Sequence, residues 1–102
     1  MDIRIATLSE LPEGRGTAVN AGEHRLVIFR IGAHAYALDN SCPHAGAPLH
    51  LGRVREREIT CARHGWVFDI VTGESIPHNP AFNASSYPVK IVNGEVFVEL
   101  PP

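Results

Sequence analysis

Long hydrophobic runs are missing from this sequence of 102 residues. No stretch approaches the roughly eighteen consecutive apolar residues that a transmembrane helix needs. The N-terminus also lacks the charged region and apolar core of a signal peptide, because it begins directly with the alternation typical of a β-strand. We therefore expect no membrane anchor. Cysteine is equally scarce: there are two, and if both bind metal none remains for a disulfide, which suits a reducing cytoplasm.

Basic residues are few as well. Nine Lys and Arg stand against eleven Asp and Glu, for a formal net charge of −2, and there is no basic tail. This balance excludes nucleic acid and an anionic membrane surface as expected partners. The chain is long enough for one domain with a core but too short to add a separate catalytic domain. It also has no residual set of two histidines and one carboxylate that would suggest a mononuclear iron site. We expect a monomeric module that is not itself an enzyme.

Helical periodicity is absent, since no window holds a 3.6-residue hydrophobic period over three turns. Short apolar and β-branched runs are instead separated by Gly, Pro, Asn and Asp, which predicts an all-β fold of antiparallel sheets. The firmest local prediction is a type I′ hairpin at Asn93-Gly94, with further turns at Gly32-Ala33 and Thr72-Gly73, and Leu8–Glu13 is expected to form a turn or a short helical piece. The predicted strands are Ile3–Thr7, Thr17–Ala21, Arg25–Ile31, Ala35–Asp39, Ile59–Cys61, Trp66–Ile70, Tyr87–Val92 and Glu95–Leu100.

The middle of the chain differs in composition from its flanks. Prolines and glycines concentrate between residue 40 and about residue 80, whereas the flanking segments alternate more regularly. We therefore predict one domain over 1–102, with a base formed by 1–39 and 81–102 and a ligand-bearing subdomain over about 40–80.

The chemistry of the chain is concentrated in two short pairs. Cys42 and His44 form a C-x-H pair, and Cys61 and His64 form a C-x-x-H pair sixteen residues further on. A Rieske-type [2Fe-2S] cluster needs two thiolates and two imidazoles, and the two pairs supply one of each. The pattern therefore predicts such a cluster, with Cys42, His44, Cys61 and His64 as ligands.

Two other interpretations use the same residues. A structural Zn²⁺ accepts these donors, but zinc fingers usually place two cysteines together and two histidines together, whereas here each pair mixes donors. A disulfide between Cys42 and Cys61 is compatible with the composition. It leaves the histidine spacing unexplained.

The loops around these ligands, Cys42-Pro43-His44-Ala45-Gly46-Ala47-Pro48-Leu49 and Cys61-Ala62-Arg63-His64-Gly65-Trp66-Val67-Phe68-Asp69, resemble the bacterial Rieske-type ferredoxins that serve aromatic-ring dioxygenases. The resemblance implies three stacked antiparallel sheets, with the cluster at the tip of a small subdomain. It also implies that both cysteines bind one iron and both histidines the other. As partners it implies a flavoprotein NAD(P)H-dependent ferredoxin reductase and a terminal oxygenase.

The resemblance also bears on the reduction potential. High-potential Rieske proteins resemble C-T-H-L-G-C and C-P-C-H-G-S-x-Y, whose extra cysteines bridge the loops and whose hydroxyls hydrogen-bond the cluster. The corresponding positions here are Ala47, Arg63, Trp66 and Phe68. Because hydrogen bonds to sulfur favour the reduced form, their loss predicts a potential near the bottom of the Rieske range of roughly −150 to +300 mV.

Several residues beside the ligands carry weaker signals. Trp66 and Phe68 are expected to pack in the core, and His50 and His78 to be solvated surface residues. Residues 76–80 resemble a third loop that covers the cluster. Arg63 lies between two ligands and is a candidate for partner contact, as are three arginines that would share one side if residues 53–58 were extended: Arg53, Arg55 and Arg57. A solvated strand edge is the alternative interpretation of these three.

Two other functions remain open at this point. One is the small subunit of an assimilatory nitrite reductase, although members of that group often lack ligands that this chain has. The other is a zinc-stapled binding module without a redox role.

Overall fold

The computed structural model describes residues 1–43, 46–63, 65–77 and 82–101. Within these ranges the chain forms three antiparallel sheets and two single-turn 3₁₀ helices, Leu8–Glu10 and Leu49–Leu51. The all-β prediction is therefore confirmed. The strands are β1 (Asp2–Thr7), β2 (Gly16–Ala21), β3 (His24–Ile31), β4 (His34–Asp39), β5 (Arg53–Arg55), β6 (Glu58–Thr60), β7 (Val67–Asp69), β8 (Ser75–Ile76), β9 (Ser86–Tyr87), β10 (Val89–Val92) and β11 (Glu95–Glu99).

The three sheets have simple orders. The first sheet runs β1-β11-β10, the second β2-β3-β4-β9 and the third β5-β6-β7-β8. The third sheet is built from one continuous part of the chain, residues 53–76, which follows the first cysteine and includes the second. The sequence around Cys61 therefore has a sheet of its own.

The hairpin between β10 and β11 forms at the predicted turn. Asn93 and Gly94 have φ angles of 51° and 77°, and Val92 pairs with Glu95. Both values lie in the left-handed region that a type I′ turn requires and that Asn and Gly tolerate better than other residues. The prediction of this turn is confirmed.

The prediction of one strand over Tyr87–Val92 is wrong. Pro88 divides it: Tyr87 pairs with Ala37 in the second sheet, whereas Val89 pairs with Val98 in the first. Proline has no backbone N–H and cannot continue a ladder, so the chain changes sheets there. Its carbonyl still accepts a hydrogen bond from the backbone N–H of Glu99, at 2.9 Å.

Two hydrophobic cores lie between the sheets. One packs the first sheet against the second, with Leu26, Ile28, Val96 and Val98 fully buried. The other lies beneath the third sheet and contains both cysteines; its other buried members are Val27, Phe29, Leu38, Ala47, Leu49, Ile59, Phe68, Ile70 and Ala84. No helix in the described part of the chain has the length and apolarity needed to cross a membrane.

Candidate metal centre

The two cysteines lie on loops that have the same backbone hydrogen bonds. Cys42 donates its N–H to the carbonyl of Ala47 (2.8 Å) and accepts from the N–H of Gly46 (2.7 Å). Cys61 likewise donates to the carbonyl of Trp66 (2.7 Å) and accepts from Gly65 (3.1 Å). Each cysteine is thus held at the start of a closed turn, bonded to the residues four and five positions later.

A glycine makes each of these turns possible. Gly46 and Gly65 both have a φ of 70°, and no atom lies within 4 Å of where a Cβ would stand. The requirement at these positions is therefore backbone conformation and not space, because L-residues with side chains adopt this region at a cost. Both glycines therefore determine the backbone path of the ligand loops.

The two thiols lie in one apolar environment. Cys42 and Cys61 are each 1% exposed, belong to the same core and are not joined in a disulfide. Two buried thiols presented by equivalent loops fit a pair of thiolate ligands to one iron, since ligand loops must place sulfur away from water and at fixed positions.

The histidine half of the predicted motif cannot be compared in the same way. His44 and His64, predicted as ligands, and His78 lie outside the described residues. In the part of the chain that is described, no three His, Cys, Asp or Glu side chains come together as a metal site. The predicted third loop is described only at Ile76 and Pro77.

The first loop is closed at its base by a pair that sequence reasoning missed. Asn40, at the end of β4, bonds both the ring and the backbone of His50, which follows the loop. His50 is half-buried, so the prediction that it is a solvated surface residue is wrong. The sequence carried a faint signal: Asn40 precedes Cys42 by two residues, at the end of a predicted strand, where an amide side chain can bond neighbouring backbone.

The second loop continues into β7, whose side chains alternate about the core. Phe68 is fully buried. Trp66 is half-buried and packs against the same core. Its ring contacts the ring of Phe82 edge-on, with the two ring centroids 5.0 Å apart. The prediction that both residues pack in the core is confirmed. At the end of the strand, Asp69 Oδ1 accepts hydrogen bonds from the backbone N–H groups of Val71 and Thr72, at 2.8 and 3.1 Å.

The arginine-rich segment is not extended as expected. Glu56, with a φ of 56°, turns the chain between β5 and β6, so Arg53 and Arg55 share a face of β5 while Arg57 lies in the turn. Arg57 pairs with Asp69 at 3.7 Å. β5 is an edge strand of the third sheet, and Arg53 and Arg55 are both exposed on it.

These features define a class of protein: a small all-β domain that presents two buried thiols on matched loops in one core, as iron–sulfur electron carriers do. The Rieske [2Fe-2S] domain family matches residues 2–92, and the chain belongs to this family. Family membership implies a Rieske-type [2Fe-2S] cluster as the cofactor.

The relatives narrow the class. The chain is 34% identical to the ferredoxin component of the naphthalene 1,2-dioxygenase system of Pseudomonas putida, covering 96% of this chain and 94% of the relative. The ferredoxin of carbazole 1,9a-dioxygenase from Nocardioides aromaticivorans IC177 has a TM-score of 0.88 and 32% identity, with 96% of each chain covered. A ferredoxin solved in complex with the oxygenase of carbazole 1,9a-dioxygenase has a TM-score of 0.86 and 28% identity, covering 95% of this chain and 100% of that one.

Proposed function

We propose that this chain is the ferredoxin component of a ring-hydroxylating oxygenase system. It carries single electrons from a flavoprotein NAD(P)H-dependent reductase to a terminal oxygenase, which performs the chemistry on substrate. The observation that carries the proposal is the pair of equivalent loops that hold Cys42 and Cys61 in one buried site. The relatives in dioxygenase systems support the assignment of the partners.

The ligands in this proposal are Cys42 and Cys61 on one iron and His44 and His64 on the other. When bound, the cluster supplies a reversible one-electron couple. Two thiolates offset the 2+ charge of its oxidised core, so loading leaves the formal net charge at −2 and reduction takes it to −3.

The residues around the thiols exclude water from the cysteine side. Leu49, Ile59 and Phe68 are fully buried in the same core as both cysteines. An apolar surround raises the cost of extra charge and works against reduction. With Trp66 and Phe68 in place of hydroxyl donors, this favours a potential near the bottom of the Rieske range.

We further propose the division of the chain into a base (1–39 and 81–102) and a cluster-binding subdomain (about 40–80). Support comes from the third sheet, which uses only residues 53–76. We also propose that the protein acts in the cytoplasm, since both cysteines serve as metal ligands and not in a disulfide, and that it acts as a monomer.

The other two functions rank lower. The nitrite reductase small subunit is disfavoured because this chain has all four ligand positions and because its 34%-identical relative is a dioxygenase ferredoxin. A zinc-binding module would account for the two buried thiols, but it would not explain the similarity to iron–sulfur ferredoxins.

The deciding experiment begins with anaerobically purified protein. We expect two irons and two acid-labile sulfides per chain, and a rhombic S = 1/2 EPR signal with an average g below 2 after dithionite reduction. One zinc per chain without colour would overturn the proposal. A large subunit that copurifies stably would instead support the nitrite reductase assignment.

Turnover tests the partners. The reductase and oxygenase components of the same organism should hydroxylate substrate only when this chain is added. The Cys61→Ser variant should abolish both the EPR signal and turnover. A His34→Ala variant, changed at an exposed histidine at the start of β4, should retain both and serves as the matched control.

A further inference from the structure

Charge is distributed unevenly along this chain. Between Asp39 and Asp69 the sequence has four arginines and two glutamates, for a formal charge of +2. The remaining residues have five basic and nine acidic side chains, for a formal charge of −4. The net charge of −2 therefore conceals a cationic segment, residues 40–68, that contains both cysteines, although the subdomain as a whole (about 40–80) is neutral because it also includes Asp69 and Glu74.

Three of the four arginines lie around the ligand loops on one surface, which we call the tip face: Leu51, Arg53, Arg55, Ala62 and Arg63. Two shallow hollows meet there, and both are lined by Leu51 and Ala62. Arg63 lines the first, of 390 Å³, beside Gly46 and Ala47 of the first loop. Arg53 and Arg55 line the second, of 740 Å³, beside Cys61.

The charges of the tip face are largely uncompensated. Arg53, Arg55 and Arg63 are exposed, and among the described residues none of the three is in an ion pair, whereas Arg57 pairs with Asp69 and Arg4 with Glu95. One acidic residue, Glu58, lies opposite Arg55 on β6 and lines the same hollow as Arg53 and Arg55. Even counting Glu58, this surface keeps a positive excess.

An apolar side chain stands among these cations. Leu51 is 64% exposed, although its neighbour Leu49 is fully buried. Single exposed leucines are common on protein surfaces. A leucine ringed by arginines, in contrast, has the composition of a docking surface, where apolar contact and arginine are concentrated.

We propose that the tip face docks an acidic surface of the terminal oxygenase, with Leu51 entering an apolar recess that its carboxylates surround. This inference rests on the proposed function and adds the charge and the residues of the contact. Opposite charge at the contact raises the association rate and orients the encounter. Because the acidic partner repels the anionic base, the encounter favours the orientation in which the ligand loops face the partner.

The sign of the tip charge can be measured without a protein partner. Dithionite-reduced protein is mixed with an anionic oxidant, tris(oxalato)cobaltate(III), or a cationic one, hexaamminecobalt(III). Each takes one electron from the protein and becomes Co(II). At about 0.1 M ionic strength the Debye length is about 10 Å, far below the 36 Å length of the molecule. The charges of the base are then screened, and the charges at the electron-transfer site dominate the effect of charge on the rate.

We expect the rate with the anion to fall about threefold or more between about 0.1 M and about 1 M salt, and the rate with the cation to rise. The reduced protein has a formal charge of −3, so the opposite dependence is expected if the tip is not cationic. Arg53→Gln and Arg63→Gln should each lower the rate of electron transfer to the anionic oxidant about twofold. Arg4→Gln makes the same charge change on β1 of the first sheet and should leave both rates unchanged.

The oxygenase that supports turnover tests the docking itself. Arg53→Gln, Arg63→Gln and Leu51→Gln should raise the KM for this chain about threefold or more at unchanged kcat, while Arg4→Gln should not. Leu51→Gln should leave the cobalt rates unaltered, since it changes no charge.

Three outcomes distinguish the docking inference from the proposed function. If all three tip variants have the same kinetics as wild type, the docking inference is overturned and the proposed function stands. A protein without a reducible cluster would overturn the proposed function instead. A third measurement is NMR line broadening of backbone amides by the redox-inert, paramagnetic hexacyanochromate(III) anion. If the amides of residues 51–55 are not broadened, the tip is not cationic, whatever the state of the cluster.

Discussion

Asn40 and His50 close the base of the first cysteine loop with two hydrogen bonds. The side-chain NH₂ of Asn40 donates to Nδ1 of His50 at 2.9 Å, and its Oδ1 accepts from the backbone N–H of His50 at 2.8 Å. Since an amide NH₂ can only donate, Nδ1 of His50 is the acceptor of this bond. The backbone N–H of Asn40 bonds the carbonyl of Arg25 on β3. The loop is thereby anchored to the second sheet.

Removing this anchor should loosen the first loop. We expect Asn40→Ala to lower the free energy of unfolding by about 1–3 kcal/mol, because the half-buried N–H of His50 loses its acceptor. His50→Ala keeps that backbone bond and should cost less. Urea unfolding of the holoprotein and the rate of colour loss under chelator measure the two effects. Asn20→Ala, at an exposed position on β2, is the matched control. Equal behaviour of Asn40→Ala and Asn20→Ala would contradict the anchoring role.

Gly73 and Gly22 offer a second test, of close packing after β7. Both have a positive φ, but a Cβ at Gly73 would lie 2.1 Å from the carbonyl oxygen of Ala84, whereas nothing lies within 4 Å of one at Gly22. Gly22→Ala should therefore cost only the backbone strain, about 1 kcal/mol. Gly73→Ala should cost about 3 kcal/mol or more, because the clash with backbone adds to the strain. Urea unfolding of both variants decides this, and similar losses would refute it.

The structure contains elements that sequence patterns could not predict. Arg53–Arg55 and Ser75–Ile76 form strands of three and two residues, too short for an alternation to be recognised. They exist because β6 and β7 offer unpaired backbone on either side. Glu56 at positive φ is similar, since nothing in the local sequence favours a turn there over continued extension.

What the sequence did predict rests on residues with a single physical role. Asn93-Gly94 satisfies a turn that few other pairs tolerate, and two cysteines in mixed pairs with histidine have few uses other than metal binding. The bond between Asn40 and His50 escaped prediction because it depends on how the loop closes in three dimensions. The sequence marked Arg63 and the arginines of β5 as candidates for partner contact, but only the folded chain shows that they line two hollows that share Leu51 and Ala62.

Tyr87 predicts a loss of stability at alkaline pH. Burial, then the hydrogen bond that its hydroxyl donates to Asp39 at 2.7 Å, then the charge of Asp39 raise the pKa of Tyr87 from 10.0 to about 12. A raised pKa means that the folded state holds the phenol proton more tightly than the unfolded state. The stabilisation is therefore complete below about pH 10 and is lost as the pH rises through about 12.

The measurement is urea unfolding at about pH 9 and about pH 11. Wild type should lose stability between these values, and Tyr87→Phe should lose less because it has no phenol to titrate. Tyr36→Phe replaces the other tyrosine and should behave as wild type. A Tyr87→Phe variant with the same pH dependence as wild type would show that Tyr87 is not the group responsible.

Phe68 allows the expected low potential to be tested from inside the core. It is fully buried, pairs in register with Ile59 and Ser75, and shares its core with both cysteines. The corresponding position of the high-potential motif C-P-C-H-G-S-x-Y is a tyrosine. Phe68→Tyr should add one hydroxyl that can donate to sulfur. A hydrogen bond worth about 1 kcal/mol more in the reduced state raises a one-electron potential by about 40 mV.

Protein-film voltammetry measures this shift, with iron content confirming that the cluster is retained. Phe29→Tyr adds the same hydroxyl to the same core from β3 in the second sheet and should change the potential little. If both variants shift equally, the cause is core polarity in general; if Phe68→Tyr alone leaves the potential unchanged, the missing hydroxyl does not account for a low value. A rise confined to Phe68→Tyr would trace the low potential to the apolar side chain at this position, because the two variants differ only in where the hydroxyl stands.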